Sequence, residues 1–454
     1  MSEEKNQKLE SRPPVVVVLG HVDHGKSSIL SAIKDFKITE NESGGITQHI
    51  GAYQIEHQGK KITFIDTPGH EAFSAMRLRG AQVADIAILV IASEDGVKNQ
   101  TKEAISHIKK AQIPMIVAIN KIDKIEANPE KVKGELSSHD VVTESMGGKI
   151  PCVETSATTG KGITDLLDLI LLVAEMEELK QDKSHPAQGV VIESYLDPSR
   201  GPTATLVLRD GVLRKGDVFG THSCCGKVKI IEDFQGISVD TALSSAPAVV
   251  LGLEDVPGVG EKFKVFPDME TAQDNIEGKI ESTPRVFKIE PDKKVLNLIL
   301  KADVLGSLEA IKEVLRELPQ DKVILRILLG EVGEISESDV KMAVGAKAII
   351  TGFRVKTSPS AEKLAYRDGI KIKVFDIIYE LAQAVRQVLE KRLGSEIVRE
   401  SKGKVRILEI FRTEKNSQII GGKIFEGEIK RGSLVEIYRN EEKIGKGKIT
   451  GLQK

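Results

Sequence analysis

Tryptophan is absent from this 454-residue chain, and five tyrosines with twelve phenylalanines bring the aromatic share to only 4%. So sparse a set disfavours a platform on which single-stranded bases would stack. Three cysteines, Cys152, Cys224 and Cys225, two of them adjacent, build no disulfide framework and offer no C-x-x-C spacing for structural zinc. Charge of one sign is missing as well. With 65 Lys+Arg against 67 Asp+Glu the formal net charge is −2, so no global field draws the chain to nucleic acid or membrane. Any contact with RNA has to come from a local patch. Long apolar runs are lacking: residues 15–19, 86–92 and 166–174 are too short to span a bilayer, and the polar first ten residues hold no signal-peptide core. What remains, 40% hydrophobic and 29% charged, is an ordinary globular composition with room for about three domains. The expectation is a cytoplasmic protein.

From Pro13 to about residue 180, strand and helix alternate. The run Val15-Val16-Val17-Val18-Leu19 reads as a strand covered on both faces. Residues 52–57 and 61–65 flank Gln58-Gly59-Lys60 as a hairpin, and 86–92, 115–119 and 152–155 read as further strands. Helical spacing covers 26–34, 71–79, 100–110 and 162–179, so a mostly parallel α/β sheet is expected. A charged linker, 180–186, leads to short strands split by Gly and Pro up to about residue 265, a small β-barrel. Beyond residue 294 an α/β/α unit is expected, with an amphipathic helix over 305–318, a strand over 323–329, a helix over 336–344 and a strand over 348–353. A long connecting helix from Phe375 to Leu393 follows, with Ile377, Ile378, Leu381, Val385, Val388 and Leu389 on one stripe.

The expected domains are a disordered tail (1–12), a nucleotide domain (13–180), a barrel (187–284), the α/β/α domain (294–374), the connecting helix (375–394) and an incomplete second barrel (402–454). An internal echo motivates the last. Asp210-Gly211-Val212-Leu213-Arg214-Lys215-Gly216-Asp217 is matched in pattern by Glu426-Gly427-Glu428-Ile429-Lys430-Arg431-Gly432-Ser433, yet only 22 residues follow Gly432.

The chemistry concentrates in the first domain. Gly20-His21-Val22-Asp23-His24-Gly25-Lys26-Ser27 fits G-x4-G-K-[ST] between a strand and a helix, the context that gives this phosphate-binding loop its meaning. Its backbone N–H groups would wrap phosphates, Lys26 would reach the β/γ oxygens and Ser27 would offer a hydroxyl to Mg²⁺. The competing readings are an accidental Gly-rich turn or a metal cluster of His21, His24 and Asp23. Asn120-Lys121-Ile122-Asp123, at the end of a strand, separates GTP from ATP. The Asp123 carboxylate can accept from guanine N1–H and the 2-amino group together, and adenine has neither donor there. Asn120 would tie the loops together and the Lys121 stem would cover the base. Asp66-Thr67-Pro68-Gly69-His70 follows another strand, with Asp66 reaching Mg²⁺ through a water and the Gly69 N–H meeting the γ-phosphate. Gly44-Gly45-Ile46-Thr47 supplies a second hydroxyl, Thr47, in a loop that the γ-phosphate would order. Ser156 and Ala157 can offer backbone N–H to guanine O6. These elements, in this order, read as a GTPase domain in which His70 positions the attacking water. Cys224 and Cys225 read as core or turn.

These residues resemble the translational GTPases, with His-Val-Asp-His inside the phosphate loop and His70 after Asp-Thr-Pro-Gly. More narrowly, the chain is similar to the bacterial translation initiation factor two family. Residues 44–53 match its first switch, and residues 66–73 with Met76-Arg77 and Arg79-Gly80-Ala81 match its second. The similarity continues through Leu196-Asp197, Gly201-Pro202, the stretch from Leu298 to Gly306, and Glu337-Ser338-Asp339, and so covers nearly everything from Pro13 onward. The resemblance implies GTP with Mg²⁺, Ser27 and Thr47 as metal ligands, Asp23 orienting the catalytic centre, and Val22 and Ile46 as an apolar gate beside His70. It also implies a monomer free of membranes, with both ribosomal subunits, ribosomal RNA and formylmethionyl initiator tRNA as partners. Hydrolysis would stay slow until the ribosome reorders the centre.

The departures from the family are specific. Lys98-Asn99 stands where Met-Pro is usual, Ser27 replaces the commoner Thr, and Glu331 occupies a turn where the family tends to have Gly. The long N-terminal region of many members is missing, and the last barrel, which grips the formylmethionyl end in the family, stops short. Residues 397–454 carry 14 basic and 8 acidic residues, suited to an RNA-facing surface or a solvated rim. Three alternatives stand beside the initiation reading: a ribosome-binding GTPase that no longer holds initiator tRNA, an elongation-type tRNA carrier, and a metabolic P-loop enzyme. The α/β/α unit speaks against the second, and no substrate-pocket residues support the third.

Overall fold

The computed structural model describes residues 9–34, 51–69, 71–276, 294–319, 323–393, 401–414, 417–439 and 442–453. It comprises two units, Met1–Arg392 and Leu393–Lys454. The first begins with β1 (Glu10–Ser11), β2 (Val15–Gly20), α1 (Lys26–Lys34), β3 (Gly51–His57), β4 (Lys60–Asp66) and α2 (Ser74–Val83). It continues with β5 (Ile86–Ala92), α3 (Asn99–Ala111), β6 (Met115–Asn120), α4 (Pro129–Ser137), β7 (Cys152–Glu154) and α5 (Ile163–Met176). Six strands lie in the order β3-β4-β2-β5-β6-β7, parallel except at the β3 edge. Strand alternation sorts the β2 side chains. Val15, Val17 and Leu19 join Met76 of α2 and Ile105 and Ile108 of α3, while Val16 and Val18 join Ile29 and Leu30 of α1 and Leu166 and Ile170 of α5. Each buried aliphatic side chain contributes about 1.5–3 kcal/mol, and a strand buried on both faces collects that contribution at every position.

Local differences from the sequence expectation have physical causes. The segment after residue 70 opens as a 3₁₀ turn, Glu71–Phe73, and becomes α-helical only at Ser74. α4 was not expected, although Asn128 caps it by accepting from the Lys131 amide at 3.0 Å and Pro129 sits in its first turn. Part of the expected disordered tail is tied down. β1 pairs with β8 (Lys180–Gln181), the first residues of the expected linker, and Arg12 donates to both Asp85 oxygens at 2.6 and 2.7 Å.

The next strands are β9 (Gln188–Asp197), β10 (Gly201–Asp210), β11 (Val212–Arg214), β12 (Val218–Gly220), β13 (Cys225–Glu232), β14 (Ser238–Val239), β15 (Thr241–Leu243), β16 (Pro247–Leu253) and β17 (Lys262–Phe266). They form an antiparallel barrel in the order β12-β17-β9-β10-β16-β13, closed by β13 pairing back to β12. Its core is built around the stacked Phe219 and Phe263, 5.2 Å between ring centroids. Cys224 lies in that core, and burial pushes its thiol up to about 11, as an inert packing residue requires.

After α6 (Met269–Asp274) comes a second parallel sheet: β18 (Lys294–Ala302), α7 (Leu305–Arg316), β19 (Val323–Val332), α8 (Glu337–Ala346), β20 (Ile349–Phe353), α9 (Pro359–Asp368) and β21 (Ile372–Phe375), then α10 (Ile378–Leu393). The strand order is β19-β18-β20-β21. Leu296, Leu298 and Leu300 share a cluster with α7 and with Leu381, Val385 and Leu389 of α10, while Ile299 and Ile350 share another with α8 and α9. The stripe expected on the connecting helix therefore packs on this sheet. Phe375 ends β21 instead of opening the helix. Glu331 lies in β19 opposite Lys301, not in a turn.

In the second unit β22 (Gly403–Glu414) pairs with β23 (Ser417–Gly427), and β24 (Leu434–Arg439) pairs with β25 (Glu442–Lys448). Among the described residues no helix is long and apolar enough to cross a membrane.

Candidate functional site

Four loops meet at the C-terminal ends of β2, β4, β6 and β7, the edge where open parallel sheets hold ligands. The loop after β2 turns through Asp23 at φ +63° and Gly25 at φ +87° before α1 begins. Gly25, at positive φ, has no room for a Cβ beside Asn120 Nδ2, so that position demands glycine, and a Cβ on Gly69 would have to displace the Lys26 ammonium. The result is a backbone cradle at a helix N-terminus, a ready site for an anion.

Lys26 is the charge in that cradle. Its side chain is 6% exposed and its Nζ donates to the His21 carbonyl at 2.7 Å. Burial lowers the ammonium to about 8, with nearby Asp66 pulling it back up. His21 and His24 stand edge to face, 5.0 Å apart. Burial first, then the neighbouring His21, brings His24 down to about 4, and burial with Lys26 lowers His21 too. Both rings are neutral at pH 7. Gln100 of α3 holds the loop from below, its Oε1 accepting from the Val22 amide at 2.9 Å.

Asp66 ends β4 and is 3% exposed. Beside it, Thr67 donates its hydroxyl to the Val18 carbonyl at 2.9 Å. The Pro68 carbonyl accepts from Arg77 at 3.1 Å, and the other arm of this fully buried guanidinium reaches Glu103 at 2.7 Å. Burial alone would raise Glu103, but hydrogen bonds from His107, Ser74 and Arg77 hold its carboxyl down to about 2. The charge under this loop is therefore fixed across the neutral range.

Asn120 is the hub on the opposite side. Its Nδ2 donates to the His24 carbonyl at 3.0 Å, while its Oδ1 accepts from the Ala157 amide at 3.3 Å and the Thr155 hydroxyl at 3.4 Å. One side chain thus joins segments 96 residues apart to a third loop. The Asp123 carboxylate accepts from the Ser156 hydroxyl at 2.5 Å, and that hydroxyl accepts from the Thr159 amide at 3.2 Å. Lys121, at φ +64°, sets its ammonium on Glu94 at 2.8 Å.

The structure brings together, at this one edge, the loop from Gly20 to Ser27, Asp66 to Gly69, Asn120 to Asp123, and Ser156 with Ala157. Thr47, with Gly44, Gly45 and Ile46, and His70 lie outside the described residues. Sequence reasoning missed Gln100, Glu103, His107 and Thr155, and had Arg77 only as part of a family motif, without its contact to Pro68. Their roles come from pairings across the fold that no local pattern announces.

Comparison with known proteins places three family models along the chain. Elongation factor Tu GTP binding domain matches residues 12–176, Elongation factor G domain 2 matches 186–266, and Translation-initiation factor 2 matches 270–386. Translation initiation factor IF-2 of Halothermothrix orenii is 44% identical over 99% of this chain and 68% of its own length. That of Pelotomaculum thermopropionicum is 45% identical over 98% of this chain and 47% of its own length. The crystal structure of GDP-bound aIF5B from Aeropyrum pernix is 28% identical with a TM-score of 0.49, covering 97% of this chain and 88% of that one. The chain spans about half the length of several curated relatives that it matches.

Proposed function

This chain belongs to the translation initiation factor IF-2 family, and from that premise we propose that it binds and hydrolyses GTP as a switch in the start of protein synthesis. The observation that carries the nucleotide reading is the Asn120 hub: it ties the phosphate cradle to the Ser156-Ala157 loop, whose Ser156 hydroxyl meets Asp123. In this reading the phosphates enter the cradle and Lys26 exchanges the His21 carbonyl for β/γ oxygens. Asp123 reads guanine N1–H and the 2-amino group, with the Ser156 hydroxyl holding the carboxylate in place. Arg77 and Gln100 keep the two phosphate-facing loops from shifting when charge enters.

Ser27 and Asp66 supply hard oxygen donors at the mouth of the cradle, a set that suits Mg²⁺. The ion when bound would neutralise charge between β- and γ-phosphates, with Thr47 as a further ligand by family resemblance. His70 would position the attacking water and Asp23 would orient the centre. In the GTP state the chain would act on the small ribosomal subunit with formylmethionyl initiator tRNA, meet ribosomal RNA, promote joining of the large subunit and leave after hydrolysis, as a cytoplasmic monomer.

The test of this role is retention of formylated initiator tRNA on small subunits by the 454-residue chain, with GDP and elongator tRNA as controls. Selective, GTP-dependent retention is expected. Ribosome-stimulated hydrolysis without retention would leave a GTPase that does not hold the tRNA.

A further inference from the structure

On the outer side of α3, beside the turn that follows α4, lies an open groove of about 420 Å³ lined by Lys102, Ile105, Ser106, Lys109, Lys110 and His139. Lys102, Ser106, Lys109 and Lys110 fall on one helical stripe. The buried stripe fixes which way it faces: Ala104 and Ile108 pack against the sheet, Ile105 forms the buried floor of the groove, and Glu103, the only acid of the helix, lies on the flank of the lysine stripe with its carboxylate on Arg77 and His107. The outward stripe therefore carries three lysines and one serine and no carboxylate of its own. Lys98 before it meets Asp95 at 3.5 Å, and Lys109 meets Asp140 at 3.7 Å. Both Lys102 and Lys110 are exposed, without an ion pair among the described residues.

We propose that this groove docks the phosphodiester backbone of RNA. Ile105 is only 4% exposed and no aromatic residue lines the groove, so it offers neither an apolar anchor for a protein hot spot nor a surface for stacked bases. What it does offer is ammonium, imidazole and hydroxyl groups, which suit phosphate oxygens and carry no sequence preference. The inner face of the same helix holds Val22 through Gln100, and Pro68 through Glu103 and Arg77. RNA in the groove thus sits one helix away from both phosphate-facing loops. The proposal deepens the reading of a ribosome-bound factor and rests on it for which RNA is met.

The test is titration of a labelled RNA hairpin with the full chain, over a range of salt, against K102E/K110E and against K60E/K61E, which makes the same charge change on the β3–β4 hairpin. Loss of two phosphate contacts should weaken binding by roughly tenfold and make the slope of log K against log salt shallower by about 1.5 in K102E/K110E only. GTP affinity should stay unchanged in that variant. K102Q/K110Q, which removes the same two cationic contacts and should change the slope equally, covers the case in which charge reversal prevents folding. Equal loss in both double variants, or none in either, overturns the proposal. So does a loss of polyglutamate binding with RNA binding intact, which would make the groove a site for an acidic protein. Failure of the nucleotide reading would appear separately, as a wild-type chain that binds RNA but not GTP.

Discussion

Each of the two parallel sheets of this chain has a buried lysine by its C-terminal edge, Lys26 where α1 begins after β2 and Lys301 near the end of β18, and their partners set their fates apart. Lys26 and Lys301 are both 6% exposed. Lys301 Nζ sits between Glu331 at 2.9 Å and Asp339 at 3.1 Å, and Asp339 also caps α8 by accepting from the Ser336 amide and hydroxyl at 2.8 Å. Lys26 rests on a main-chain carbonyl and is lowered by burial to about 8. A buried cation already matched by carboxylates holds a fold together. Lys26, which donates to a carbonyl with Asp66 nearby, is left to gain from an anion that enters. The architecture is shared, and the chemistry depends on whether the charge is satisfied.

The sharpest break in this comparison is Lys301→Met. It strands Asp339, which is 2% exposed, as a buried unpaired charge and should cost about 3–5 kcal/mol in urea unfolding, with nucleotide affinity unchanged in the folded fraction. A loss below ~1 kcal/mol would remove Lys301 from the structural role. The next effect is a pH profile at the other lysine. If Lys26 holds phosphate as proposed, binding needs its protonated form, whose free-protein value is near 8, so nucleotide affinity should be flat below pH 8 and fall by about tenfold per pH unit above it. Lys26→Arg, which stays charged, should flatten the profile, and a wild-type profile flat to pH 9 would contradict the assignment. The smallest effect belongs to Glu331→Gln. The Glu331 side chain is 54% exposed, so losing its half of the Lys301 pair should lower stability by less than about 1 kcal/mol in the same unfolding measurement.

Legibility in the sequence followed the range of the interaction. The echo between residues 210–217 and 426–433 was visible because its geometry is local. Gly216 and Gly432 adopt φ +98° and +94°, with amides donating to Val228 and Ile449 at 2.8 and 2.7 Å. The burial of the two copies differs, since Leu213 is fully buried in a closed barrel while its counterpart Ile429 is only half-buried, and no octapeptide encodes that. The same holds at the site. The phosphate loop and Asn120 to Asp123 announce themselves through residue type and spacing, whereas Gln100 on Val22 and Arg77 on Pro68 join positions 78 and 9 residues apart by side chains that could equally have faced solvent. Glu331 was misread as a turn because its strand extends three residues beyond the apolar run that marks it, carried by the Lys301 pairing. α4 was missed despite a cap and proline that favoured it.

The central claim is that Asp123 reads guanine at the edge of the first sheet, and calorimetric titration of Asp123→Asn with GTP and xanthosine triphosphate tests it most directly. Swapping the acceptor for a donor should weaken GTP by on the order of 10⁴-fold and make xanthosine triphosphate the preferred ligand. A variant that still prefers GTP would show that the base is read elsewhere.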